Sequence, residues 1–190
     1  MILITGCGRS GTTYIADVME WCGMDMPHEA VGVDGSVSSL YCVDSEWYPP
    51  YHVQDGRPPF ETVLHQVRHP LKTIGSLTTS KPISWMFNAQ HVDGLDVGQP
   101  IIEKCCRYWI GWNEMAEAQA KMTYQIEELQ KIWPILAAIL PFPTVITYEM
   151  ATQTTPRDRN SRKHRTVGWS DLGEFEEPIR RLARRYGYKA

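Results

Sequence analysis

The sequence predicts an α/β fold of three layers, in which helices cover both faces of a parallel central sheet and the chain starts as strand, glycine loop and helix. Three observations predict it. Apolar runs of strand length at Ile2 to Thr5 and at Thr62 to Val67 are each followed by a helical pattern, and strands alternating with helices build parallel sheets. Three glycines, Gly6, Gly8 and Gly11, stand between the first such strand and helix. The 190 residues are 43% hydrophobic and 22% charged, a composition that excludes wholesale disorder and fibrous architectures. That length is expected to make one domain spanning residues 1–190.

The elements follow in order. The opening Met-Ile-Leu-Ile-Thr lacks the basic region of a secretory signal and reads as a first strand. After Gly6-Cys7-Gly8-Arg9-Ser10-Gly11-Thr12-Thr13, the residues Ile15, Val18, Met19 and Cys22 recur at helical spacing up to Gly23. Residues 24–60, rich in Gly, Pro, Asp and Ser, read mostly as loop, with a short helix near Ser38 to Val43. Thr62 to Val67 is a second strand. Pro70 suits the first turn of a helix running to about Leu77, with His69 at the cap.

Pro100 to Ala120 is the longest helical pattern, and its stripe of Ile101, Cys105, Tyr108, Trp109, Trp112, Met115 and Ala116 is assigned to core packing. Thr123 to Ile126 reads as a third strand, and Glu127 to about Ile139 as a helix that Pro134 is expected to kink or divide. Thr144 to Tyr148 is strand-like in composition or irregular. A polar loop at 152–168 precedes a last helix from Leu172 to Tyr186.

Composition narrows the class. Apolar stretches are interrupted well short of the ~18–20 residues that a membrane span needs. Five cysteines, an odd number without a CxxC pair, fit a reduced cytoplasmic protein without a zinc site. Net charge is −3, but residues 157–190 carry ten Lys or Arg against five Asp or Glu. Such a tail attracts an anion or forms a solvated amphipathic helix. It lacks a nucleic-acid-binding motif, and the acidic remainder repels phosphates, so no nucleic-acid partner is expected.

The glycine loop carries the strongest chemical signal. Backbone N–H groups of such a loop, with the positive end of the following helix, cradle phosphate or sulfate oxygens. Nucleotide triphosphatases use GxxxxGK[ST], and Thr12 stands where their lysine would be. The start is P-loop-like, with its cation moved to Arg9.

Arg9-Ser10-Gly11-Thr12-Thr13 resembles the [KR]-S-G-T-T loop of the sulfotransferases that use 3′-phosphoadenosine 5′-phosphosulfate (PAPS), in the arginine version of the tyrosylprotein sulfotransferases. The resemblance extends to Val67-Arg68-His69-Pro70 and Ser76. In that family a strand ends in Arg-[Asp/Asn]-Pro, and a serine eight residues after the arginine joins it in gripping the 3′-phosphate. Arg68 and Ser76 have that spacing, and ligands of open parallel sheets bind at this carboxyl edge. His69 departs from the family's acidic or amide residue. The likeness covers residues 1–80 well and the rest loosely.

The resemblance implies a sulfotransferase moving a sulfuryl group from PAPS to a hydroxyl or amine of a small-molecule or glycan acceptor, with 3′-phosphoadenosine 5′-phosphate (PAP) as product and no metal. Cofactor binding falls to Gly8, Arg9, Ser10, Gly11, Thr12, Thr13, Arg68 and Ser76. Tyr14 is a candidate adenine stack or a packing residue, and the basic segment holding Arg162 and Lys163 corresponds to one that contacts the 3′-phosphate. Arg9 is the leaving-group stabiliser. Glu29, placed like a catalytic glutamate of related enzymes, is the first candidate base, with His28 its rival; alternatively both fix the loop through hydrogen bonds. His65 reads as a core histidine. The aromatics Trp47, Tyr48, Tyr51, Trp85, Met86 and Phe87, taken with the methionine among them, line an acceptor pocket or a core. The other readings are a variant P-loop phosphotransferase and a non-catalytic nucleotide-binding protein of the same fold.

Overall fold

A computed structural model of the chain describes residues 1–48, 57–153 and 163–190. Strands β1 (Ile2–Thr5), β2 (Gly35–Val37), β3 (Thr62–Val67) and β4 (Met122–Gln125) form one sheet in the order β2-β1-β3-β4, with every pairing parallel. Between and after them run α1 (Thr12–Trp21), α2 (Pro70–Leu77), α3 (Pro82–Ala89), α4 (Ile101–Gln119), α5 (Leu129–Ile139), α6 (Tyr148–Thr152) and α7 (Glu176–Arg185).

The strand side chains alternate between two cores, as the two-residue period of a strand requires. Leu3, Val63 and Val67 pack with Ile74 of α2, Trp109 and Trp112 of α4, and Ile179 of α7. Ile2, Ile4, Leu64 and Tyr124 pack on the other face with Ile15 and Met19 of α1 and with Trp133 and Leu136 of α5. Both faces are therefore covered, which is why these strands read as apolar runs. The three-layer parallel α/β class expected from the sequence is the one observed.

β2, α3 and the short α6 escaped the sequence reading. β2 is only Gly-Ser-Val, and its Gly35 sits at φ 148° with its Cα so close to β1 that a Cβ would lie 1.8 Å from the Ile2 carbonyl oxygen. A glycine that reads as loop is here what lets the edge strand pair. α3 begins at Pro82 in its first turn and buries Trp85 and Phe87. In the other direction, α5 runs through Pro134 without being divided, and Thr144 to Tyr148 forms no strand but leads into α6. The short helix near Ser38 is a 3₁₀ turn at Leu40–Cys42, and another at Trp169–Phe175 precedes α7.

The basic tail is largely spoken for within the described residues. Arg180 pairs with Glu176, Arg184 with Glu177 and Arg185 with Glu117, while Arg180 also lies over the Trp169 ring. Glu176 and Glu177 open α7 and Arg184 and Arg185 close it, the charge order its macrodipole favours. All five cysteines are buried free thiols. No helix among the described residues is long and apolar enough to cross a membrane.

Candidate functional site

Strand order reverses at β1: the chain steps to β2 on one side, then returns to β3 on the other. β1 ends at Thr5, the register partner of His65, and β3 runs two residues further to Val67, so the two loops that leave these neighbouring strand ends flank a single crevice. The first is the glycine loop and the second begins at Arg68. A cavity of about 590 Å³ opens there.

The glycine loop is anchored from below. The Cys7 amide donates to Asn113 Oδ1 at 3.4 Å, the Gly8 amide to the Tyr108 hydroxyl at 3.0 Å, and Gln66 Nε2 to the Ser10 carbonyl at 3.0 Å. Arg9 stands at φ 70°, a conformation that residues with side chains seldom adopt and that gathers at functional sites. Arg68 Nη1 holds it there by donating to the Arg9 carbonyl at 3.2 Å. Gly11 caps α1 at φ 95°, where no side-chain cap is made, so the helix N-terminus opens onto a cavity lined by Gly11, Thr12 and Thr13.

The two sequence motifs meet directly. Arg9 Nε donates to Ser76 Oγ at 2.9 Å across 67 residues of chain, and Arg9, Arg68 and Ser76 all line the cavity. Two guanidinium groups, a hydroxyl and a helix N-terminus thus converge on one space, the donor set of a polyanion site.

His28 lies against the loop: its Nε2 is 3.0 Å from Thr12 Oγ1 and 3.4 Å from Thr13 Oγ1. Its backbone bridges to Val37 at the end of β2, which sets its position. Glu29, at φ 54°, turns the other way. Its Oε1 accepts from the Ser39 amide at 3.1 Å and the Ser39 hydroxyl at 2.8 Å; its Oε2 accepts from the Leu40 amide at 3.3 Å and the Ser38 hydroxyl. Its carboxylate therefore ties the His28 segment to residues 38–40, with His28 Nε2 3.7 Å from Oε1.

Of the other anticipated residues, Gly8 and Tyr14 line the cavity. Ser10 is buried and joins the loop through its backbone rather than lining the cavity. Lys163 is exposed and away from the lining, which His164 reaches instead, and Arg162 lies outside the described residues. Gly75 of α2 admits this segment, since a Cβ there would meet the Arg165 carbonyl oxygen at 2.6 Å. His65 is fully buried between Asn113 and Thr123, and burial lowers its pKa to about 4. The His69 ring packs edge-on against Tyr188, and its amide donates to Glu127. Of the acceptor-pocket candidates among the described residues only Phe87 lines the cavity; Tyr48 and Trp85 are core, Trp47 packs against that core, Met86 is exposed, and Tyr51 is outside the described residues.

Sequence reasoning missed three parts of the lining. Ile126, Leu129 and Tyr148 add apolar groups to the lining, which also includes Tyr14. Ser84 and Asn88, one turn apart on α3, face the cavity, and Asn88 is only 5% exposed with no side-chain hydrogen bond among the described residues. Tyr108 reaches the site from α4. The serine and asparagine are spaced i, i+4, a signal open to a reader who had recognised the helix.

The fold and site define a parallel α/β protein with a glycine loop that opens onto a cavity at its switch point. No protein-family model matches the chain, and no curated protein is significantly similar to it.

Proposed function

We propose that the chain is a PAPS-dependent sulfotransferase, and the observation that carries this reading is the Arg9–Ser76 contact. It brings the glycine loop and the second motif, each of which resembles its sulfotransferase counterpart, around one cavity together with Arg68. The cavity volume lies within the roughly 300–1,000 Å³ of small-molecule and cofactor sites. Its lining includes both cations and apolar residues, Arg9 and Arg68 beside Tyr14, Ile126, Leu129 and Tyr148, the mixture an adenosine nucleotide would need.

When bound, PAPS supplies an activated sulfuryl group whose bond to the 5′-phosphate oxygen breaks as a bond forms to the acceptor oxygen or nitrogen. The chain's residues do the rest. Arg9 and the amides at the start of α1 stabilise charge growing on the departing phosphate. Arg68 and Ser76 hold the 3′-phosphate. His28 Nε2 takes the proton released by the sulfuryl acceptor; it lies over the loop hydroxyls, whereas the Glu29 oxygens are committed to four donors. Glu29 is then a positioning residue. Ser84, Asn88 and Phe87 form the acceptor end.

Calorimetric titration with PAP beside ADP and ATP, with and without magnesium, tests the reading. Metal-independent preference for PAP is expected. A magnesium-dependent preference for ATP would replace the sulfotransferase by a phosphotransferase with a variant loop, and equal binding of ADP and PAP would remove the role given to Arg68 and Ser76.

A further inference from the structure

Tyr108 belongs to the aromatic stripe of α4, and its neighbours in that stripe are packing residues: Trp109 and Trp112 are 1% and 0% exposed, within the core. Tyr108 differs from them in carrying a hydroxyl, and that hydroxyl leaves the core. It sits on the glycine loop, where it accepts the Gly8 N–H at 3.0 Å. Gly8 has to be glycine for this contact to fit unstrained, because a Cβ there would lie 3.1 Å from the Tyr108 hydroxyl oxygen. Both residues line the cavity.

A phenol hydroxyl that accepts one bond still has a proton to donate. Among the described residues that hydroxyl donates to no acceptor, although Tyr108 is only 3% exposed. Buried O–H donors are ordinarily satisfied, and leaving one unmade is costly. The ring is fixed at 5.0 Å from Trp112 and 6.0 Å from Trp85, so the hydroxyl cannot swing away to bulk water. The remaining direction for its proton is the cavity, beside Arg9 and the start of α1.

We infer that the Tyr108 hydroxyl is a hydrogen-bond donor to the tetrahedral oxyanion held by the glycine loop, a phosphate or sulfuryl oxygen. The Gly8 N–H polarises the hydroxyl by donating to it, strengthening the bond it makes in turn. Burial holds the phenol far above its ordinary pKa, so it stays a donor across the working pH range. The inference rests on the sulfotransferase reading only for the identity of the anion; any phosphorylated or sulfated ligand on this loop meets the same hydroxyl.

The test is Tyr108→Phe, which keeps the ring and its packing and deletes the oxygen. PAP, ATP with magnesium, and inorganic pyrophosphate are titrated into the full chain and the variant by calorimetry. Affinity for whichever anion the wild type binds is expected to fall about ten-fold, the loss of one hydrogen bond to a charged group. Equal affinity in both proteins overturns the inference and leaves the sulfotransferase reading standing. If the wild type prefers magnesium ATP and the variant loses it, the inference stands and the cofactor reading falls. Binding of none of the three probes removes both. Should the variant unfold, 3-fluorotyrosine at position 108 replaces it: the more acidic hydroxyl is a stronger donor, so PAP binding is expected to tighten and the fluorine resonance to move on titration. An unmoved resonance and unchanged affinity overturn the inference.

Discussion

Replacing Glu29 by glutamine separates a catalytic carboxylate from a structural one, because the two roles predict different observables. Each carboxylate oxygen accepts one backbone amide, Ser39 on Oε1 and Leu40 on Oε2, and one serine hydroxyl. Glutamine offers a single carbonyl oxygen. Whichever way its amide turns, the NH₂ faces a backbone N–H that cannot reverse its role, while the serine hydroxyls can rotate. With the NH₂ toward Ser39 that amide loses its acceptor, whereas with the NH₂ toward Leu40 the amide keeps Ser38 Oγ at 3.1 Å, so the glutamine settles the second way and the cost is near the low end, about 1 kcal/mol. For a chain of this length, a loss of about 1 kcal/mol lowers the melting temperature by about 2–4 °C. The substitution leaves φ 54° unaddressed, so backbone strain does not confound the comparison. Thermal melts followed by circular dichroism, PAP titration and a sulfuryl-transfer assay are run on Glu29→Gln beside His28→Gln. Glu29→Gln is expected to melt early and to retain part of its turnover. His28→Gln is expected to keep its melting temperature within about 2 °C and to lose about 10²–10⁴-fold in turnover, the usual worth of a general base. An unchanged melt with abolished turnover in Glu29→Gln would refute this assignment and make Glu29 the base.

Arg68→Ala should weaken PAP about ten-fold or more while changing affinity for adenosine 5′-phosphosulfate, which has no 3′-phosphate, much less; equal losses in competition titrations would mean that Arg68 serves only to hold the Arg9 carbonyl. Stability should fall in acid through His65, whose pKa burial lowers from 6.5 to about 4. The unfolded chain then binds the extra proton, so this stability is complete above pH 6.5 and is lost progressively down to about pH 4, amounting to about 3 kcal/mol. His69 and His91, also lowered by burial, act in the same direction; urea midpoints that stay level between pH 7 and pH 4.5 would contradict this. Gly35→Ala should cost ~4 kcal/mol or more, the range of severe backbone clashes, because its Cβ would fall 1.8 Å from the Ile2 carbonyl oxygen; a variant that melts with the wild type would show that β2 is not needed to hold the fold.

Legibility in the sequence followed the range of the interaction. β1, β3 and α2 were readable to the residue because their signals are local: apolar runs, and a proline at a helix start. β2 was not, since its three residues are made a strand only by Ile2 to Ile4 of a distant segment. α3 was hidden because its apolar residues are split, Trp85 and Phe87 buried while Ile83 and Met86 are exposed, and the polar Asn88 is buried, which blurs a single amphipathic stripe. In the site, the loop and the Arg68–Ser76 spacing could be read because each motif is contiguous. The commitment of Glu29 to residues 38–40 could not, as it depends on a turn nine to eleven residues away. Tyr108 was read as core, which holds for its ring and not for its oxygen.

The site owes its rigidity to α4, an element that neither motif contains. Asn113 receives the Cys7 amide, Tyr108 receives the Gly8 amide, and Trp112 Nε1 donates to the Ser39 carbonyl beside the Glu29 turn, all from one helical face. Ser39 in turn donates to Glu29, and the backbone of His28 is zipped to β2. One buried helix therefore bears on both the glycine loop and the histidine segment, so the distance between that loop and His28 is set by this packing together with the contacts of His28 to Thr12 and Thr13. Proton transfer is sensitive to separations well under an ångström. A loop in a left-handed conformation at Arg9 would relax if freed; the hydrogen bonds from α4 below and from Arg68 above are what keep it in place.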